Sequence, residues 1–154
     1  MPLFQTRISR ARLVYSPFSS EQMAQLGEIV ARSIRERIER GENVEDAQAK
    51  PLKPGRTVNG HQLRGYPDYK TARGLQPIRD WTWTGRTLRS LKVLSANENR
   101  VVIGFADRIA DLRAHLNNRR EKAFGISPKD RQALNAAVLA LLKQVRVVSF
   151  RKAA

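Results

Sequence analysis

The chain has 154 residues, 41% hydrophobic and 28% charged, with 29 Lys+Arg against 14 Asp+Glu and no cysteine. That length supports one domain with a real core and is short for two, since about 150 residues bury roughly 68–70% of the extended chain's surface. The missing thiols exclude a disulfide scaffold, a thiolate metal site and a cysteine nucleophile.

No apolar run approaches the ~20 residues needed to span a bilayer. Arg7, Arg10 and Arg12 interrupt Met1–Phe18 before the apolar stretch of a signal peptide can form. The expectation is a soluble protein used without secretion. The formal charge of +15 is uneven: residues 1–19, 20–49, 50–79, 80–106 and 107–154 carry +3, −3, +6, +2 and +7. A protein so basic binds polyanions weakly by counterion release whatever its role. Specific nucleic-acid recognition needs a reading helix, a stacking platform or a known motif, and a basic surface facing an acidic partner accounts for the charge equally well.

In chain order, the first predicted element is a helix from about Ser20 to Arg40. Ser19 is placed to cap it, Gln22 to reach back, and Phe18 and Met23 to form a hydrophobic staple. Met23, Leu26, Ile29, Val30, Ile34 and Ile38 recur at spacings of three and four, which sets them on one stripe. Glu28→Arg32 and Glu36→Arg40 are correctly oriented i,i+4 pairs, and Gly41 supplies the stop. The acidic excess of this helix reads either as a docking face or as an ordinary solvated one.

Residues 42–79 then change character. Pro51, Pro54, Pro67 and Pro77 alternate with Gly55, Gly60, Gly65 and Gly74, which forbids long helices and central strands. The segment is expected to be an extended basic arm that folds on assembly.

From Asp80 to Phe105 the pattern predicts a sheet. Trp81 and Trp83 alternate with Thr82 and Thr84, so a strand there would put both indoles on one face. Gly85 breaks the run, and one helical turn comes next around Leu88 to Leu91. Lys92–Ser95 and Arg100–Phe105 form a hairpin across Ala96-Asn97-Glu98-Asn99. Asp107 caps a helix that carries Ile109, Leu112 and Leu116 inward to about Asn118. Ser127-Pro128-Lys129-Asp130 opens a last helix with Leu134, Ala137, Val138, Leu141, Leu142 and Val145 as its apolar stripe. Val147, Val148 and Phe150 favour a short terminal strand.

No catalytic constellation emerges. His61 and His115 stand alone, Asp107 and Asp111 share a helical face that suits a cation or an acid/base pair, and Gly55–Gly60 lacks the Gly-Lys-Ser/Thr ending of a phosphate loop. The reading is not an enzyme, with no cofactor and no metal. The Trp81/Trp83 pair beside Arg79 and Arg86 is either a stacking platform for unpaired bases or an anchor in a core or subunit interface, where Trp and Arg are enriched.

Taken together, several motifs in fixed order carry a resemblance. They are the capped helix ending Ile38-Glu39-Arg40-Gly41, Lys50-Pro51-Leu52, Tyr69-Lys70, and Asp80-Trp-Thr-Trp-Thr-Gly85-Arg-Thr-Leu88-Arg-Ser90-Leu91. Val101–Phe105 and Phe124–Asp130 complete the series. From about Ser20 to Leu142 the chain resembles the virion morphogenesis, or tail completion, family of tailed bacteriophages.

The resemblance implies an α+β subunit, a small antiparallel sheet packed by an N-terminal and a C-terminal helix, with a long Pro/Gly-rich basic arm. It implies a structural virion protein of the neck that completes the tail and joins it to the head connector. The implied partners are sibling copies in a ring of six or twelve, the tail terminator or tube, and head connector proteins. Non-specific contact with DNA is allowed, and no membrane is involved. The surfaces expected to meet neighbours are Lys50, Lys53, Arg56, Arg64, Tyr66 and Tyr69 on the arm, with Arg79, Trp81, Trp83 and Arg86 beside it. The competing reading is a basic nucleic-acid-binding phage protein for packaging or regulation.

Overall fold

The computed structural model describes residues 18–81 and 85–152, the last eight as backbone only. Helix α1 (Ser20–Glu39) is the central element. Its start is the expected one: the Gln22 amide donates to Ser19 Oγ at 3.3 Å, and the Ser19 amide donates back to Gln22 Oε1 at 3.0 Å. Gly41, at φ +74°, ends it. The i,i+4 ion pairs expected on its outer side are replaced by others. Glu28 lies 4.0 Å from Arg35 and accepts from the Val93 amide, while Arg40 turns to Glu42 at 3.1 Å.

After α1 come a small hairpin, β1 (Arg56–Val58) and β2 (His61–Leu63), and two short helices, α2 (Tyr66–Thr71) and α3 (Arg86–Arg89). The main hairpin, β3 (Leu91–Asn97) and β4 (Arg100–Phe105), is antiparallel, pairs Leu91 with Phe105 and Asn97 with Arg100, and carries an irregularity between Val93 and Ser95. Helices α4 (Arg108–Arg120) and α5 (Pro128–Lys152) complete the chain. Five helices and two two-stranded antiparallel sheets among the described residues make this an α+β protein. No described helix is long and apolar enough to cross a membrane.

Two apolar clusters hold these elements. The larger joins Val30, Ile34 and Ile38 of α1 to Leu88, Leu91, Phe105, Ala110, Ala114, Ala123 and Phe124. Phe105 and Phe124 meet edge to face with ring centres 5.3 Å apart, a geometry that adds to simple burial. The smaller cluster sets Phe18, Met23 and Leu26 against the half-buried stripe Leu134, Ala137, Val138, Leu141 and Leu142 of α5. Gly27 lets α1 lie directly on the main hairpin. A Cβ there would stand 2.5 Å from Val101 Cγ1 and 2.7 Å from Val93 Cγ2, both on stiff β-branched side chains.

Four expectations need correction. Residues 42–79, expected as an extended arm, are not extended throughout: they contain a β-bridge between Glu42 and Gln48, the β1–β2 hairpin and α2. Asn59 and Gly60 both adopt positive φ, 52° and 75°, as the tightest hairpin turns require, so the Asn-Gly dipeptide is the local signal. Trp81 does not continue an extended strand, because its φ of 51° lies in the left-handed region. The alternation expected for residues 82–84, Trp83 included, lies outside the described residues.

Helix α4 also turns its alanines inward and leaves Ile109, Leu112 and Leu116 about half exposed, the reverse of the expected face. Finally, α5 runs to Lys152, so Val147, Val148 and Phe150 belong to a helix and not to a terminal strand. Each β-branched residue disfavours a helix by only a few tenths of a kcal/mol, and no glycine or proline between residues 129 and 152 interrupts it.

Candidate functional site

Three of the expected interface residues come together around a cleft of about 330 Å³ between α3 and α4. Tyr66, Trp81 and Arg86 line it, joined by Arg113, Leu116 and Arg120 from α4. Arginine, leucine and arginine at positions i, i+3 and i+7 of a helix share one face, which is the signal by which the α4 side is readable.

Trp81 is half-buried and packs against the larger core cluster, so its indole roots the cleft floor. Burial pushes the Tyr66 hydroxyl above its usual 10.0, helped by the nearby Asp80 charge.

Arg86 crosses to Asp107, the N-cap of α4. Asp107 also accepts from the amides of Ile109 at 2.8 Å and Ala110 at 3.4 Å. The Arg86 guanidinium above all holds the Asp107 carboxyl below the usual 3.8, against desolvation and with the help of those two amides. A carboxyl depressed in the folded state contributes stability that is present above its unfolded pKa and lost as pH falls. Asp107→Asn is therefore expected to lower the melting temperature at pH 7, with the gap to the wild-type chain closing as pH drops below about 4. A gap that stays constant from pH 7 to pH 3 would contradict this role.

The rest of the expected set is placed elsewhere. Arg79 is a brace: it donates to the carbonyls of Lys50 at 2.7 Å and Pro51 at 3.3 Å and lies 3.7 Å from Glu121. The Lys50 amide donates to the Glu121 carboxylate at 3.1 Å, so this strand of chain is tied to the end of α4. Lys53, Arg56 and Arg64 stand on the β1–β2 hairpin, where every residue from 53 to 64 is exposed. Tyr69 is exposed on α2.

At the root of the projecting hairpin, Gly55 and Gly65 bring two backbones into contact. A Cβ on Gly65 would lie 2.3 Å from the Gly55 amide nitrogen. Beyond that root, Lys70 anchors α2 to the chain leading into Asp80. Its ammonium is 1% exposed, donates to the Ile78 carbonyl at 2.8 Å and is ion-paired with Asp80.

One buried ion pair escaped the sequence reading, which took Asp130 only as the acid that opens the last helix. Arg37 and Asp130 form a salt bridge with side chains 1% and 0% exposed. Arg37 lies seven residues after Val30, on the buried stripe of α1, and a cation in that register is the available signal. Among the described residues no cluster of three or more His, Cys, Asp or Glu is arranged to hold a metal ion. No protein-family model, curated protein or solved structure matches the chain.

Proposed function

We propose that this protein is a structural component of a phage neck, assembling as a ring that completes the tail and joins it to the head connector. The observation that carries the reading is the β1–β2 hairpin. It holds Lys53, Arg56 and Arg64 without a single acid between residues 53 and 64, and all of it projects into solvent. Exposed two-stranded hairpins are marginal on their own, and one that stands off the domain is suited to pairing with, or lying against, a neighbouring chain. The motif series from the N-terminal helix to Phe124–Asp130 points the same way. The cleft carrying Tyr66, Trp81 and Arg86 supplies a second contact surface, since buried aromatics and arginines dominate interface energetics.

The test removes the hairpin alone. Because Gly55 and Gly65 already touch, deleting residues 56–64 and joining the two glycines leaves the domain's ends where they were. In a phage that depends on this chain, the shortened protein is expected to fold with unchanged circular dichroism while filled heads and tails accumulate separately. Normal yields of infectious particles from the shortened chain would refute the reading.

A basic nucleic-acid-binding role is the second reading, favoured by Arg86, Arg113 and Arg120 around two aromatic rings. Salt titration against duplex and single-stranded DNA separates the two readings. A specific binder retains one preferred sequence or structure as salt rises, whereas a polycation loses all of them together.

A further inference from the structure

Helix α4 is built inside out for an isolated subunit. Ala110 and Ala114 face the core at 1% and 0% exposure, while Ile109, Leu112 and Leu116 lie outside at 49%, 55% and 48%. These three aliphatics repeat at spacings of three and four and make an apolar stripe roughly 10 Å long. Arg113 and Arg120 share that arc of the helix, and among the described residues neither has a carboxylate partner. Such a surface, apolar along its middle and basic along its edge, marks an interaction site for an acidic partner. Pairing α4 with α4 would set arginines against arginines, so a self-complementary dimer through this face is disfavoured.

The chain carries the opposite surface elsewhere. Residues 20–49 hold seven of its fourteen acids. On α1, Glu21, Glu28, Glu36 and Glu39 are exposed and fall on one helical face with Gln25 and Arg32, bordered by Arg35, which lies 4.0 Å from Glu28.

We propose that the outer face of α4 docks on the acidic outer face of α1 in a second copy of this chain. The two faces differ, so the contact is head-to-tail and propagates from copy to copy until a ring closes. This deepens the neck reading and rests on its premise of ring assembly.

The experiment exploits the asymmetry. One variant, Arg113→Glu with Arg120→Glu, makes both faces acidic; the other, Glu36→Lys with Glu39→Lys, makes both basic. All four positions are exposed, so unchanged circular dichroism and melting behaviour are expected. Native mass spectrometry and sedimentation at low salt should show the wild-type chain as an oligomer. Each variant alone should associate at least about tenfold more weakly. An equal mixture should recover assemblies in which the two variants alternate, with even numbers of subunits.

Either variant assembling alone like the wild type overturns the proposal. So does a wild-type chain that stays monomeric at every concentration, or an arginine variant that loses only DNA retention. A permanently monomeric chain would also count against the ring premise of the neck reading; the other two results leave that reading to the hairpin deletion, which tests it separately. Alternating assembly together with normal particles from the hairpin-deleted chain would keep the docking surface and reject that neck role.

Discussion

Replacing Arg37 with methionine is expected to destabilise the whole protein by about 3–5 kcal/mol, a large part of the stability of a domain this size. The guanidinium satisfies four oxygens at once. Its Nε lies 3.2 Å from Asp130 Oδ2, its Nη1 donates to the carbonyls of Ala123 at 3.1 Å and Glu42 at 3.3 Å, and its Nη2 donates to Gly125 at 2.7 Å. Asp130 in turn accepts from Ser33 Oγ at 2.6 Å and from the Ser127 amide at 2.9 Å. One side chain thus ties the end of α1, the turn after it, the loop before α5 and the start of α5. Removing it strips a buried carboxylate and three carbonyls of these donors at once.

Asp130→Ala is expected to cost a similar amount, because it strands the cation and also removes the acceptor of the Ser127 amide at the start of α5. The double variant should lose less than the two singles together, and the difference measures the pair itself. Urea unfolding of the four chains at pH 7 gives all the values. An Arg37→Met chain within 1 kcal/mol of the parent would show that the network is ornamental to stability.

Where the sequence speaks through local chemistry, it is readable. The start of α1 is written in Ser19 and Gln22, its end in Gly41, and the opening of α5 in Ser127-Pro128 with Asp130 three residues after the cap. The β3–β4 hairpin shows as two apolar runs around a polar turn, and the structure lengthens it by one residue before Lys92 and two after Ser95. The hidden features depend on partners far along the chain. Nothing near Arg37 announces an aspartate 93 residues later. In α4, hydropathy favours Leu112 over Ala114 as a core residue, yet Ala114 is fully buried and Leu112 is 55% exposed, because the face of α4 that packs on its neighbours is the one that carries the small residues.

The candidate site divides the same way. Tyr66, Trp81 and Arg86 are identifiable by residue type, whereas Arg113 and Arg120 become visible once α4 is placed beside them. Residues 42–79 look like an extended arm when proline and glycine alone are counted. The turn signal Asn59-Gly60 and the anchor Lys70 are the residues that give the segment its structure.

Lys70 leads to the second large effect, of a different kind. Lys70→Met leaves Asp80 without its ammonium at a position 8% exposed, a loss expected to be about 3 kcal/mol or more in the closed form of the segment. Yet neither apolar cluster contains a residue between 50 and 80, so this segment can open without disturbing the core. The loss is therefore expected to appear as local unfolding, with the open population rising on the order of 100-fold.

Hydrogen exchange reads this directly. The amides of Ala72, Gly74 and Leu75, which donate to Asp68, Thr71 and Lys70, should lose protection, while those of α1 and the β3–β4 hairpin keep theirs. Adding Asp80→Asn to Lys70→Met should restore part of the protection, because the buried charge is gone. If amides in α1 exchange faster by the same factor as those after α2, the pair supports the entire fold and the segment is no separate unit. If they do not, a chain with an intact core and an unanchored projecting hairpin becomes available. That chain separates the need for the hairpin's presence from the need for its fixed direction, a distinction that deletion of residues 56–64 cannot make.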